Sequence, residues 1–552
     1  MDFPQPPSPP AIVRTLSPII SYEAEDQSTS GIVIGPDRRF GTLPAEASGR
    51  RAVLLRGPAD SLTITLSAPA QGLTIRYALP DTADGIGQYS AVTITVSGRQ
   101  IAKVPLTSRY SIFYGSYPFT NRPADGGAHH FWDERRILLP NFLPAGTVIS
   151  MRPAGGHLGF AVDVIDAELV PAPVLIRRRS ISVVAFGADP SGRRSSRQAF
   201  LGAIAVAKRT RRAVYVPAGR FRVDGHLTVD RVEIIGAGQW HTTLAGHHIG
   251  VYSQPGGSSD VSLSRLAIES DVTGRRDNAP LAAIGGKFSH STFEDLYLHH
   301  GKAGIWLDGP AHDIRIARVR IADQVADGIN LHRGISRAIV AGNRIRNVGD
   351  DGIASWSEHE PNSEILIKDN QIIAPILANG IAIYGGRNIE VSHNVIADTL
   401  TEGGGIHLGA RFNSAPFSGW VRITGNTVVR SGSMDPHWHF GIGAIWIYAL
   451  EKRISARIAL TGNRIEDAGC EAVQLLGPHR IDGVSINGLS IFGKRTAIFS
   501  LQSPGSMSVK GVTIDGGTKS VDVPPDFVFS RKDSLDDSTV RHVANFAAAS
   551  CL

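Results

Sequence analysis

The sequence predicts an all-β chain in which an antiparallel β-sandwich precedes a parallel β-helix. Three observations carry this. Between residues 62 and 98 the short alternating segments LTITLSA, LTIRYAL and AVTITVSG are separated by Gly, Pro and Asp, the pattern of half-buried strands joined by turns. Farther on, one step recurs: Ala303-Gly304-Ile305, Asp327-Gly328-Ile329, Asp351-Gly352-Ile353, Asn379-Gly380-Ile381, Gly404-Gly405-Ile406, Gly443-Ala444-Ile445 and Glu471-Ala472-Val473. The intervals of 24, 24, 28, 25, 39 and 28 residues are one coil of a stacked repeat with insertions in some turns. A second column, Asn343, Asn370, Asn394, Asn426 and Asn463, keeps the same period. Asparagine tolerates tight left-handed turns and its amide can bond along a stack, so this column reads as structural.

Taken in order, residues 1–21 are Pro-rich and expected to be a disordered lead. Residues 22–170 form the β-sandwich and 171–179, PAPVLIRRR, the linker. The β-helix runs over 180–520 and 521–552 are its exit cap and tail. Within 180–520, Ser195-Ser196 opens a helix whose Phe200, Ile204 and Ala207 recur at helical spacing. Such a helix closes the first coil, whose apolar cross-section would otherwise be bare. The loop-rich stretch 110–136, with Tyr110, Tyr114, Tyr117, Phe119, His129, His130, Phe131 and Trp132, is read as packing one domain on the other, with a sugar platform as the alternative. The long interval after Gly404 holds SGSMDPHWHF, which places His437, Trp438 and His439 over the neighbouring face. Trp446 and Ile447 read as core-facing or stacked between coils.

Composition narrows the function classes. The chain has 552 residues, 42% of them apolar, with 60 glycines and 19% charged residues, which fits a β-rich folded chain longer than one ordinary core. Lys plus Arg exceed Asp plus Glu by only 56 to 50. The basic clusters 177–179 and 208–212 lack interleaved aromatics, which argues against nucleic acid as a partner. No stretch approaches the roughly 18 apolar residues of a membrane span, so no membrane partner is expected. Two cysteines, Cys470 and Cys551, make no disulfide framework, and spacing leaves their pairing open. MDFPQPPSPP carries no basic and apolar leader pattern. The expectation is nonetheless a monomeric extracellular protein whose partner is a polysaccharide.

The chemistry concentrates in 323–353. Asp327 and Asp351 share one column on successive coils, with Asp350 directly before the second. Stacked coils lie about 4.8 Å apart, and like charges that close raise a pKa, so a fold keeps them mainly for a metal or a reaction. Asp350 follows Val348-Gly349, where a turn can swing it into the same cleft on a different vector. Inverting glycoside hydrolysis needs an acid to protonate the leaving oxygen and a carboxylate to activate water, about 6.5–9.5 Å apart. Asp350 is therefore assigned as acid, with Asp327 and Asp351 sharing the water. No catalytic cofactor is expected. His332, Trp356, Glu358, Tyr384, Arg387, His407 and Arg411 fall on or just after the same strands and are candidates to line sugar subsites, as is Trp438, the alternative being ordinary coil packing. His129-His130 and the His437/His439 pair lack a completing ligand, so zinc is not expected.

Three resemblances sharpen these readings. Tyr22-Glu23-Ala24-Glu25 and FAVDVIDAEL at 160–169 resemble the first and last strands of carbohydrate-binding modules of the galactose-binding-like jelly-roll type. That resemblance implies a structural calcium on Glu23, Glu25 and Asp163. Hard oxygen ligands suit the ion and alternation puts both glutamates on one face; the alternative is that the acids face solvent on an edge strand. The segment from ISVVAFGADP to Val214-Tyr215-Val216-Pro217-Ala218-Gly219 resembles the entry of the pectate-lyase-like right-handed parallel β-helices. Finally, an Asp followed 23 and 24 residues later by Asp-Asp, together with Gly236-Ala237-Gly238-Gln239-Trp240-His241-Thr242-Thr243, resembles glycoside hydrolase family 87, the α-1,3-glucanases and mycodextranases. This implies an inverting hydrolase of α-1,3-glucan or nigeran, with Asp327, Asp350 and Asp351 as its catalytic set. The polygalacturonases share the Asp and Asp-Asp order but add Gly-His-Gly and Arg-Ile-Lys. Here Gly405-Ile406-His407-Leu408-Gly409 and Arg457-Ile458-Ala459 stand instead, so a neutral glucan is favoured. A non-catalytic glycan-binding β-helix, or a calcium-dependent lyase with Arg333 as base, remain alternatives from other classes.

Overall fold

The computed structural model describes residues 19–542 apart from 157, 176–178, 436–438, 494–497, 517–519 and 533–539. Two antiparallel sheets, of six and five strands, face each other over Leu62, Ile64, Leu73, Ile75, Val92, Ile94, Phe160 and Val162. The first strand, Ile20–Glu23, pairs antiparallel with the last, Phe160–Glu168.

The second unit is a parallel solenoid. Each coil contributes three strands; one such coil is Ile329–His332, Ile335–Ala341 and Arg344–Val348. Thirteen strands stack in one sheet, and the other two columns run together as 23 strands. The predicted register is the observed one: Ile305 pairs with Ile329, then Ile353, Ile381, Ile406, Ile445 and Val473. The Gly in the repeated step is steric. A side chain on Gly328 would sit 2.5 Å from the Gly352 carbonyl oxygen, and one on Gly352 2.6 Å from that of Gly380.

The asparagine column forms a continuous ladder. The side-chain amides of Asn343, Asn370, Asn394 and Asn426 each donate to the next asparagine's Oδ1, at 2.8, 2.8, 2.9 and 3.0 Å, ending on Asn463. At the entry, the helix Arg197–Thr210 buries Phe200, Ala203, Ile204 and Ala207 on the first coil. The aromatic loops of the sandwich pack on the β-helix as expected. Phe113 and Phe119 meet Val272, Leu281 and Val325, and Tyr110 stacks on His300 at 4.0 Å. Charged contacts seal the same seam: Arg344 and Arg346 on Asp166 at 3.0 and 2.9 Å, Arg346 on Glu134, and Arg320 on Glu168. Among the described residues no helix is long and apolar enough to cross a membrane.

Candidate active site

The corner between the strands Arg344–Val348 and Ile353–Trp356 carries Asp350 and Asp351, and the equivalent corner one coil earlier, between Arg320–Gln324 and Ile329–His332, carries Asp327. Backbone bonds from Gly304 to Asp327, Gly328 to Asp351 and Gly352 to Asn379, at 3.2, 3.0 and 2.8 Å, set these residues one above another. One carboxylate oxygen from each of Asp327, Asp350 and Asp351 lies within 4.8 Å of the other two. That is closer than the about 6.5–9.5 Å expected of an inverting pair, so separation alone does not select the stereochemistry.

The three acids differ in surroundings. Asp327 and Asp351 are buried, whereas the Asp350 side chain keeps 27% of its exposure. Asp351 Oδ1 accepts Asn379 N and Nδ2, both at 2.9 Å, and its Oδ2 accepts the Tyr384 hydroxyl at 3.0 Å. Burial and the neighbouring Asp350 nevertheless push its carboxyl up to about 7. Asp327 is raised well above the usual carboxylate range by burial first, then by Asp350 and Asp351. Asp350 Oδ2 accepts Nη2 of Arg275 at 2.5 Å, and its Oδ1 accepts the Asp351 N–H at 3.1 Å. The Arg275 guanidinium thus holds the Asp350 carboxyl group, while burial and its two neighbours favour the protonated form of Asp327.

Outward side chains of the thirteen-stranded sheet form two in-register rows beside this corner. The pairs are Trp306 with Asn330, Ala354, Ala382, His407 and Trp446, and Asp308 with His332, Trp356, Tyr384, Gly409 and Tyr448. Asn330, Ala354, Ala382, His407 and Trp446 are buried, whereas Trp306, Asp308, Trp356 and Tyr448 keep partial exposure. His332 is held between Asp308 Oδ1 at 2.7 Å and Glu358 Oε2 at 3.0 Å, with Trp356 against its ring at 4.6 Å. Trp356 donates its indole N–H to the Phe412 carbonyl oxygen, and the Arg411 guanidinium lies 3.9 Å over the Phe412 ring. His407 is fully buried, stacked 3.8 Å from Trp446, and burial keeps it neutral. Trp446 is thus stacked between coils on the outward side and bonds Asn379 Oδ1 at 2.8 Å, while Ile447 faces the core.

Other expected residues fall elsewhere. Arg387 is exposed on the strand Gly386–Ser392, which belongs to the adjoining sheet, because the chain turns at Gly385-Gly386 directly after Tyr384. Trp438 and His437 lie outside the described residues, as does Cys551.

The calcium set is only half assembled. Glu25 is not on a strand with Glu23, since a 3₁₀ turn, Ala24–Asp26, begins directly after it. Asp163 is taken by Arg76 Nη1 at 2.5 Å and the Ser48 N–H at 3.0 Å. Glu23 and Glu25 each keep one buried carboxylate oxygen without a hydrogen-bond partner among the described residues. Asp163 therefore does not fit the ion, and the Arg76 guanidinium supplies positive charge in its place. Asp133, His299, His300 and Asp323 also converge in the seam between the domains. Their contacts of 2.7 Å for His299 to Asp323 and 2.9 Å for His300 to Asp133 are hydrogen-bond lengths, so the group holds itself together as a charged network.

Sequence reasoning missed Arg275 and Asp277, which come from a loop outside the coil period, and Lys302, which stands directly before Ala303 in the repeat; Tyr117 falls in the aromatic stretch 110–136 read as interdomain packing. Asn379 was visible as the column successor of Asp351, but counted only as a repeat marker.

The comparisons agree with this geometry. Family models described as the α-1,3-glucanase catalytic domains D1 and D2 match residues 17–170 and 193–468. The catalytic unit of a thermostable family 87 α-1,3-glucanase from Streptomyces thermodiastaticus strain HF3-3 is 32% identical with a TM-score of 0.85, covering 94% of this chain and 95% of that one. The chain belongs to glycoside hydrolase family 87. It is a glycoside hydrolase of the α-1,3-glucanase type. The fold is also similar to that of the Agl-KA catalytic domain, 24% identical with a TM-score of 0.83 over 93% of this chain and 98% of that one. A family 87 α-1,3-glucanase catalytic domain in complex with nigerose is 22% identical with a TM-score of 0.77, covering 94% and 98%. No curated protein sequence matches the chain.

Proposed function

We propose that this family 87 hydrolase cleaves α-1,3-glucosidic bonds of α-1,3-glucan or nigeran with inversion, using Asp327, Asp350 and Asp351. The observation that carries the reading is the arrangement itself: two buried carboxylates stacked on adjacent coils, and a third, more exposed, beside them on another vector. Asp350 is the acid that meets the leaving oxygen, because it alone of the three faces the open side. Asp327 and Asp351 flank one water. The set needs one proton and two charges; the proton resting on Asp327 passes within the cluster to Asp350, and Asp327 is then free to act with Asp351 as base. The sugar trough of this reading is lined by the partly exposed Trp306, Trp356 and Tyr448, whose aromatic faces suit a neutral sugar chain.

Solved relatives support the assignment. Solved family 87 catalytic domains carry alanine in place of one of three aspartates, the second and third lying 23 and 24 residues after the first, and are described with tetrasaccharides or nigerose. The same spacing separates Asp327 from Asp350 and Asp351. Polymers of this kind are met outside the cell, which accords with an extracellular setting.

Proton NMR of the first product released from α-1,3-glucan tests the stereochemistry. The β-anomer should appear first and mutarotate later; an α-anomer appearing first would overturn inversion. Release of sugar from polygalacturonate alone would overturn the substrate. Asp350→Asn should lower kcat by at least about 10²-fold, the upper part of what general acid catalysis supplies being about 10⁴.

A further inference from the structure

Arg275 stands in the loop between the strands Ala267–Glu269 and Ile284–Gly286, outside the coil repeat. Its side chain is only 10% exposed. Nε donates to Asp277 Oδ1 at 2.9 Å and Nη2 to Asp350 Oδ2 at 2.5 Å, so one guanidinium bridges a loop carboxylate and the catalytic cluster. Asp277 is itself held from two sides. Tyr117, from the β-sandwich, donates its hydroxyl to Asp277 Oδ2, and its ring lies 5.2 Å from the guanidinium. Lys302 Nζ donates to the Asp277 carbonyl oxygen at 2.6 Å and sits 5.3 Å from the Trp306 ring in the trough. A chain of contacts thus runs from the sandwich, through Tyr117, Asp277 and Arg275, to Asp350.

We infer that Arg275 is a positioning residue of this reaction, seated by Tyr117 of the β-sandwich, which fixes the orientation of the Asp350 carboxylate toward Asp327 and Asp351. The inference rests on the three-aspartate reading above. Two arguments support it. First, a planar fork that bonds two carboxylates at once has one orientation, which a flexible or singly bonded cation would not give. Second, three carboxylates with oxygens within 4.8 Å cannot all be charged without a counter-charge, and among the described residues Arg275 is the guanidinium bonded to one of them. The groups facing Asp350 are Asp327 and Asp351 from the coils and Arg275 from the loop. Asp277 and Tyr117 lie behind Arg275, Lys302 acts electrostatically on both Asp277 and Asp327, and Tyr384 lies behind Asp351. The sandwich is then part of the catalytic apparatus through a single exposed tyrosine.

The test uses the full chain labelled with ¹³C at aspartate carboxyls, together with pH profiles of kcat/KM on α-1,3-glucan. In Arg275→Gln the Asp327 carboxyl, already raised by burial, should titrate higher still, because the guanidinium is the nearby charge that lowers it. Both limbs of the profile should move to higher pH by about 1 unit, with kcat falling more than KM rises. Arg275→Lys keeps the charge but not the fork: its profile should stay in place while kcat falls. Tyr117→Phe should shift the profile in the same direction by less, with Tm unchanged, since this side chain is 63% exposed. Unmoved carboxyl titrations in Arg275→Gln overturn the inference whatever happens to activity, and an unmoved Tyr117→Phe profile removes the sandwich from it. A fully active Asp350→Asn instead sinks the parent reading, so the two failures are distinguishable.

Discussion

Replacing Tyr384 by Phe removes one atom from the active site and should move the enzyme's acid limit. The hydroxyl donates to Asp351 Oδ2 at 3.0 Å, and both side chains are buried. A hydrogen bond to a charged group contributes about 1.5–3 kcal/mol. At about 1.36 kcal/mol per pKa unit, its loss raises the Asp351 carboxyl by about 1–2 units from a position burial has already pushed to about 7. The sign follows from the role. Asp351 must be ionised to activate water, so activity is present above its pKa and fades as pH falls through it. The acid limb of kcat/KM should therefore move up by about 1–2 units, while rates well above the limb stay close to those of the parent enzyme. The ring remains against His407 and Phe412, at 5.4 and 5.3 Å, so the trough keeps its shape. Reducing-end assays on soluble α-1,3-glucan oligosaccharides across pH would measure this. A uniform loss of rate with the limb unmoved would refute the assignment of Asp351 as base.

Other predictions follow from the scaffold. Asn394→Ala strips the Asn370 N–H and side-chain amide of their acceptor, at 3.0 and 2.8 Å, and the Ile367 carbonyl of a donor. At about 1–3 kcal/mol per unsatisfied buried group, stability in urea should fall by about 3–6 kcal/mol; a loss below about 1 kcal/mol would show that the ladder is not a stabilising element. Gly328→Ala forces a methyl to 2.5 Å from the Gly352 carbonyl oxygen and should displace Asp327 from Asp351, abolishing activity before circular dichroism reports any loss of sheet. Glu23 is raised to about 7, first by burial and then by Asp163. The folded state thus holds this proton more tightly than the unfolded chain, and Glu23 costs stability as pH rises from about 4.5 to 7. Glu23→Gln should accordingly match the parent's Tm near pH 4 and exceed it at pH 7. A variant less stable than the parent at pH 7 in calcium would overturn this reading and place an ion on Glu23.

The parts legible in the sequence were those that repeat. A coil that must pair with its neighbours fixes its inward Ile and its corner Gly, so the register of seven coils, the asparagine ladder and the adjacency of Asp327 and Asp351 could be read by counting. What lay outside the period could not be counted. Arg275 reaches Asp350 across 75 positions and Tyr117 comes from another domain. Arg387 was misplaced because a period says which residues share a column but not where Gly385-Gly386 turns the chain. Nor could counting show the surroundings of Glu23, Glu25 and Asp163: the first and last strands look alike whether or not the side chain of Arg76 reaches Asp163 between them.

Catalytic groups mounted on stacked coils inherit a fixed ruler. The spacing of Asp327 and Asp351 is that of hydrogen-bonded strands and cannot be adjusted without unstitching a sheet of thirteen. Evolution can therefore tune this enzyme only by dressing the corner: by choosing what stands on the next coil, as Asn379 does, or what leans in from a loop, as Arg275 does. Chemistry here is edited one corner position at a time, leaving the scaffold untouched, and a neighbouring coil that now bears Gly404 or Gly443 could be given a working side chain by the same route.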